Sequence, residues 1–136
     1  MSERTFVIIK PDAVRRGIVG AILSRYETKG LAIVALEQRV IDAELADAHY
    51  AEHVAQPWYP SLRDFITAGP LVALILEGDS AIEVVRLVNG ATDGRKAAPG
   101  SVRGDFSLSN QANVVHASDS PESAAREIAL WFPAFA

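Results

Sequence analysis

His116 is the residue of this sequence with the most chemistry within reach. It ends the short run Asn113-Val114-Val115 and is followed by Ala117-Ser118-Asp119-Ser120-Pro121-Glu122, in which Ser120 can cap a helix and Pro121 can open it. A helix start presents unpaired N–H groups and a positive dipole end, both favourable to an anionic group nearby. A neutral imidazole is a competent nucleophile towards phosphorus, provided that a carboxylate or carbonyl fixes which ring nitrogen holds the proton. Glu127, in the following helix, is a candidate for that partner. Taken alone, a structural histidine at a strand end is the commoner use of such a residue. Scattered cations add to the picture: Lys10 where the first strand ends, Arg86 on a helix, and Arg103 within Pro99-Gly100-Ser101-Val102-Arg103-Gly104-Asp105-Phe106. Singly, each reads as a solvated surface charge. Lys10 fits that reading least, because it directly closes a buried run and precedes Pro11-Asp12.

Other site chemistries are missing. The nine glycines never form G-x-G, so there is no dinucleotide fingerprint and no kinase-type glycine loop. Neither G-x-x-x-x-G-K-[ST] nor G-x-S-x-G occurs, and Asp105-Phe106 runs into Ser107 with no H-R-D elsewhere. His49 and His53 are spaced i,i+4, which can bind zinc on a helix. With no third ligand in view, two surface histidines on an amphipathic helix is the reading that stands. The chain has no cysteine, which removes disulfides, thiolate catalysis and Cys-ligated metal centres together and fits a reducing compartment.

These residues need elements to hold them. Residues 5–10 read as a buried strand that stops at Lys10-Pro11-Asp12, since proline cannot donate to a ladder. Ile22, Leu23 and Tyr26 share one face of a helix over 20–29, closed by Gly30. Residues 31–40 form a second strand, Asp42 caps a helix running to about 53, and 57–66 form a short helix. Leu71 to Leu76 is the clearest central strand, and Ser80-Ala81-Ile82-Glu83 matches a capping box for a helix ended by Gly90. Residues 91–112 have no period, and a connection of that length in a compact domain is usually functional or disordered. A short strand at 113–116 and a helix over 120–132 complete the chain. This order fits a parallel α/β sheet, and equally a split βαββαβ sandwich with a mainly antiparallel sheet. In an ideal strand Asn113 and His116 face opposite sides, so for both to serve one site the strand must twist or end between them, with His116 past the regular ladder.

Length and charge set the class. The 136 residues are 49% hydrophobic and 22% charged, which predicts one globular domain over 1–136 with its own core. A net charge of −4 argues against general nucleic-acid binding, so any polyanion site must gather a few local cations. The longest apolar run, Leu71 to Leu76, is far short of a bilayer span, and Met1-Ser2-Glu3-Arg4 opens no signal segment. A cytoplasmic protein without membrane attachment is expected.

Asn113-Val114-Val115-His116-Ala117-Ser118-Asp119-Ser120 resembles the active-site signature of the nucleoside diphosphate kinases. The resemblance extends to Thr5-Phe6-Val7-Ile8-Ile9-Lys10-Pro11-Asp12, Gly17-Ile18-Val19-Gly20, Lys29-Gly30-Leu31, His49-Tyr50, Ser101-Val102-Arg103-Gly104-Asp105-Phe106, Glu122-Ser123-Ala124 and Glu127-Ile128-Ala129-Leu130-Trp131-Phe132, and so covers nearly the whole chain in its short-tailed bacterial form. It implies an α+β, ferredoxin-like βαββαβ sandwich with a mainly antiparallel four-stranded sheet. It also implies a ping-pong transfer of the γ-phosphate from a nucleoside triphosphate such as ATP to a nucleoside diphosphate, ribo or deoxy, with low base specificity.

By that resemblance His116 is the nucleophile, phosphorylated on Nδ1, with Glu127 on the other ring nitrogen and Ser118 behind the carboxylate. Lys10, Arg86 and Arg103 gather the phosphates, helped by the Thr92 hydroxyl and the Tyr50 phenol. Asn113 and Lys10 bond the sugar 3′-hydroxyl, and Trp58 and Leu62 meet the base. Mg²⁺ is held mainly by the nucleotide's phosphates without a direct protein ligand, Asp119 being the candidate to reach it through water. A homo-oligomer is implied, a hexamer ahead of a tetramer, with the loop around Pro99 near a subunit contact. The chain departs from the family at Trp58 (usually phenylalanine), at Ala117 (usually glycine, so its φ should be negative or mildly strained) and at Asn110 (often apolar). A phosphohistidine relay with weak turnover and a ligand-binding regulatory domain are the rival classes. A pure sensor needs no nucleophile with its own orienter.

Overall fold

The computed structural model describes residues 2–136. The elements run β1 (Ser2–Ile9), α1 (Pro11–Arg15), α2 (Val19–Lys29), β2 (Ala32–Arg39), α3 (Ala43–His49), α4 (Tyr59–Thr67), β3 (Leu71–Asp79), α5 (Ala81–Asn89), α6 (Val102–Phe106), β4 (Val115–Ala117) and α7 (Pro121–Trp131), with a closing 3-10 turn at Pro133–Phe135. The sheet has the order β2-β3-β1-β4, and each neighbouring pair is antiparallel. The sandwich with an antiparallel sheet is therefore the fold, and the parallel alternative falls.

The reason periodicity could not choose lies in the sheet itself. Along β1, Val7 and Ile9 pack into one core with Val72, Leu74 and Leu76, beneath Ile22 and Tyr26 of α2 and Ala81 and Val85 of α5. Phe6 and Ile8 pack into the other core with Leu71, Ala73 and Ile75, beneath Ala46 of α3, Ile66 of α4 and Ile128 and Trp131 of α7. Both faces of the two central strands are covered, so Phe6–Ile9 and Leu71–Leu76 are buried continuously instead of alternating. Such a run looks the same in a parallel sheet.

Most caps follow the side chains. Asp42 accepts from the Leu45 N–H at 2.9 Å and Ser120 from the Ser123 N–H at 3.1 Å. Ser80 does not cap α5 as expected: it sits at φ 53° and its side chain makes no capping bond. Glu3 of β1 does this instead, its Oε1 accepting from the Ile82 N–H at 3.0 Å. The stretch 91–112 is not structureless, since Ser101 accepts from the Gly104 N–H at 3.0 Å and starts α6 there. Gly104 is required by close approach, because a Cβ there would lie 2.0 Å from the Ala98 carbonyl oxygen. The helix expected to reach residue 53 stops at His49. Among the described residues no helix is long and apolar enough to cross a membrane.

Candidate active site

His116 lies inside the ladder, paired with Ile8 across β1 and β4, and not beyond it as expected. It is Asn113 that falls outside the strand. The break between them is at Val114, which is fully buried yet has φ 63°. The Val115 N–H donates to the Asn113 carbonyl at 2.8 Å, so residues 113–115 form a γ-turn about a left-handed centre, a rare and strained geometry. Such strain in a β-branched residue costs about 1–3 kcal/mol and persists only where surroundings enforce it. Here they do: the Val114 N–H donates to Asp12 Oδ2 at 3.2 Å and its carbonyl accepts from the Lys10 N–H at 2.8 Å. Among the described residues Ser80 and Val114 are the non-glycine positions with positive φ, so Ala117 carries its methyl without that strain.

The ladder register puts His116 on the sheet face covered by α3 and α7. The buried stripe of α7 is Ala124, Glu127, Ile128 and Trp131, which sets one carboxylate among apolar neighbours. His116 Nε2 lies 3.1 Å from Glu127 Oε1, and the same oxygen accepts the Ser118 hydroxyl at 2.6 Å. A carboxylate at Nε2 favours the tautomer with the proton there, leaving the Nδ1 lone pair free. Ser118 is held by its own N–H, which donates to the Phe6 carbonyl at 3.1 Å.

A second histidine was missed in the sequence. His49 is not on the surface: it is 4% exposed, and its ring stands edge-on to that of His116 with centroids 4.7 Å apart. A ligand atom from each of His49, His116 and Glu127 lies within 4.8 Å of the others, so the third partner for a metal is near His49 and not at His53. The tautomer speaks against metal there. The Trp131 indole N–H, a donor only, points at His49 Nδ1 from 3.0 Å, so the proton of the neutral ring sits on Nε2. Burial first, then the nearby His116, push the His49 pKa down to about 2, so the ring stays neutral. It offers the site an N–H and no lone pair. The signal for His49 was its place beside Tyr50, but a helix that ended four residues earlier than expected hid its inward face.

The cations converge around Asn113. Lys10 is 7% exposed and its ammonium donates to Asn113 Oδ1 at 2.8 Å. Burial, then Arg103, pull its pKa down to about 8, with Asp12 pulling the other way. The Asn113 amide donates to the carbonyls of Thr92 at 3.0 Å and Asn110 at 2.9 Å, so the polar residue at 110 serves through its backbone. Arg103 is fixed by the carbonyls of Gly90 at 2.9 Å, Val115 at 2.7 Å and Asn113 at 3.3 Å. Burial, then Arg86, lower its pKa to about 10, still charged at neutral pH. Among the described residues Arg86 donates to the Ala117 carbonyl, at 3.3 Å.

These groups line one cavity of about 550 Å³: Lys10, Tyr50, Trp58, Leu62, Arg86, Thr92, Arg103, Asn113, His116, Asp119 and Glu127 all border it, while Ser118 lies behind Glu127 at 1% exposure. Trp58 stands half exposed at the rim, 5.3 Å from the His53 ring between centroids. Burial raises the Tyr50 phenol above its usual range, so it remains a proton donor. Bonds from Ser123 hold Asp119 below the usual carboxylate range, so it is ionised. A half-buried imidazole with a free Nδ1, in one cavity with three cations and the Asn113 amide, suits transfer of a phosphoryl group.

A sequence model described as nucleoside diphosphate kinase matches residues 3–136. The chain belongs to the nucleoside diphosphate kinase family. Among its relatives, the nucleoside diphosphate kinase of Nocardioides sp. is 74% identical over 133 residues, 98% of each chain. That of Mycobacteroides abscessus is 62% identical over 98% of this chain and 99% of its own. A halophilic nucleoside diphosphate kinase from Halobacterium salinarum, solved in complex with CDP, is 48% identical and superposes with a TM-score of 0.94 over 97% of this chain and 88% of its own. The enzyme is a phosphotransferase that carries the γ-phosphate from a nucleoside triphosphate to a nucleoside diphosphate in two half-reactions through a phosphohistidine.

Proposed function

We propose that His116 carries the phosphoryl group and that the domain over 1–136 performs both half-reactions in the one cavity. The observation that carries this reading is the Glu127 oxygen 3.1 Å from Nε2, which leaves Nδ1 as the free lone pair. Nδ1 attacks the γ-phosphorus; a P–N bond forms as the P–O bond to the departing diphosphate breaks. In the second half a terminal oxygen of another nucleoside diphosphate attacks the same phosphorus and the P–N electrons return to the ring. Glu127 stabilises the charge that the ring acquires when phosphorylated, and Ser118 keeps the carboxylate aimed. Lys10, Arg86 and Arg103 neutralise the phosphates, with Thr92 and Tyr50 as neutral donors. Asn113 and Lys10 meet the sugar 3′-hydroxyl.

Trp58 and Leu62 take the base. A stacking face at an open rim contributes roughly 1–3 kcal/mol and tolerates every base. With ATP as donor, the diphosphates of guanine, cytosine, uracil and thymine should turn over within about tenfold of one another. Turnover of a single base would contradict this reading.

Mg²⁺ would ride on the nucleotide's phosphates. The ionised Asp119 beside three cations suits an ion reached through water, and the ion supplies further neutralisation of the phosphate charge. A cytoplasmic location and a homo-oligomer, a hexamer ahead of a tetramer, complete the reading. Leu87 at 71% and Leu108 at 86% exposure support such an assembly, and light scattering tests it.

Two predictions follow from the cations. Arg86→Ala should weaken nucleotide binding by roughly tenfold in KM with little change in melting temperature, because among the described residues Arg86 holds a single carbonyl. Arg103→Ala should lower both turnover and melting temperature, because three carbonyls lose their donor. Steady-state kinetics and thermal melts separate the two. Lys10 gives the pH dependence. With its pKa lowered to about 8, kcat/KM should fall as pH rises through 8 and the ammonium is lost. Stability should move oppositely: between about 8 and the ordinary lysine value near 10.4 the unfolded chain binds the extra proton, so the Lys10 contribution favours the native state increasingly as pH rises. Kinetics and melts over that window check both signs.

A further inference from the structure

We propose that Asp12 is a positioning residue of the reaction, whose carboxylate holds Val114 in its left-handed turn and thereby brings Asn113 and His116 into one cavity. These two residues are three positions apart, and in an extended strand their side chains would point to opposite faces. The turn at Val114 removes that conflict. Valine does not adopt φ 63° unaided. Its N–H finds its acceptor in Asp12 Oδ2 at 3.2 Å, in a place where both residues are buried. Asp12 is 7% exposed, and its Oδ1 meets no hydrogen-bond donor among the described residues. The Lys10 ammonium favours its charge, and among the described residues the hydrogen bond its side chain accepts comes from the strained amide.

The position of Asp12 is itself fixed. It follows Lys10-Pro11, and the Lys10 N–H donates to the Val114 carbonyl at 2.8 Å. The start of α1 therefore grips Val114 at both its carbonyl and its N–H. The same short segment carries the Lys10 ammonium that meets Asn113 Oδ1 at 2.8 Å. Asp12 thus sets the backbone beneath Asn113 while Lys10 sets its side chain. Neither task requires Asp12 to touch a nucleotide.

The inference rests on the reading that Asn113 meets the sugar 3′-hydroxyl. The test measures kcat/KM for a 2′-deoxynucleoside diphosphate and for its 2′,3′-dideoxy counterpart, with enzyme first phosphorylated by ATP and Mg²⁺. Asn113→Ala should compress the ratio of the two by about tenfold or more, since the hydroxyl loses its partner. Asp12→Ala should compress it by a similar factor, because displacing a contact by about an ångström is enough. The double variant should add nothing further. Asp12→Asn keeps an oxygen acceptor and should keep the ratio, while its lost charge moves the alkaline fall in rate to lower pH. Should Asp12→Ala not fold, Asp12→Ser carries the same expectation, because its shorter side chain falls short of the Val114 N–H. A folded Asp12→Ala or Asp12→Ser variant with the parental ratio, an additive double variant, or an Asp12→Asn ratio compressed like that of alanine would overturn the proposal. If Asn113→Ala itself leaves the ratio unchanged, the sugar assignment fails and takes this inference with it. If only the Asp12 variants leave it unchanged, the sugar assignment stands and this inference alone falls.

Discussion

Replacing His116 by alanine is expected to lower phosphotransfer by about 10⁴-fold or more while the fold survives. The chemical half of this expectation follows from the covalent route. Without Nδ1 no P–N bond forms, and donor and acceptor would have to occupy one cavity of about 550 Å³ together. The structural half follows from the ladder. His116 pairs with Ile8 through its backbone, and its side chain is 23% exposed at the cavity wall. Truncation removes one contact with Glu127, whose oxygen keeps the Ser118 hydroxyl at 2.6 Å. Melting within about 5 °C of the parent and an unchanged circular dichroism spectrum are expected. A variant that retains turnover would remove His116 from the reaction.

Glu127→Ala should have the next largest effect, about 10²-fold on kcat, with a smaller change in KM. The carboxylate does two things at one oxygen: it faces His116 Nε2 at 3.1 Å and accepts from Ser118 at 2.6 Å. Alanine frees the ring to rotate and lets the proton move to Nδ1, where it blocks the attacking lone pair. Glutamine is the informative control. Its carbonyl oxygen can still accept from both Nε2–H and Ser118, so the tautomer survives and only the charge is lost. Rates should therefore fall in the order Glu, Gln, Ala. Rates for Gln and Ala that are equal would mean that charge, and not the tautomer, is what Glu127 supplies. Rapid-mixing measurement of the phosphorylation step with ATP separates this from product release.

Much of the site was legible because its residues break local rules. Lys10 closes a buried strand, where a surface lysine has no business, and that irregularity is visible in a string of letters. Glu127 was legible only as a carboxylate on the helix that follows His116; its place in the buried stripe of α7 is a finding of the structure, and the resemblance to a family supplied the roles. What stayed hidden was geometry without a local signature. The direction of the strands could not be read because the cores on both faces erase alternation along Phe6–Ile9 and Leu71–Leu76. The turn at Val114 was foreseen only as a need, and it fell on the wrong side of the ladder: valine is the last residue from which φ 63° would be predicted. Its cause, Asp12, lies 102 residues away in sequence. His49 was misread for a similar reason, since the partner that turns it inward, Trp131, is 82 residues distant. Glu3 capping α5 in place of Ser80 is the same lesson again.

The central claim is a transient P–N bond on His116 Nδ1, and trapping it is the most direct measurement. Purified enzyme mixed with γ-labelled GTP and Mg²⁺ should acquire label that survives alkali, is released by acid, maps to the peptide containing His116 and transfers to added CDP. An enzyme that turns over but stays unlabelled, or whose label maps elsewhere or resists transfer to CDP, would contradict the account.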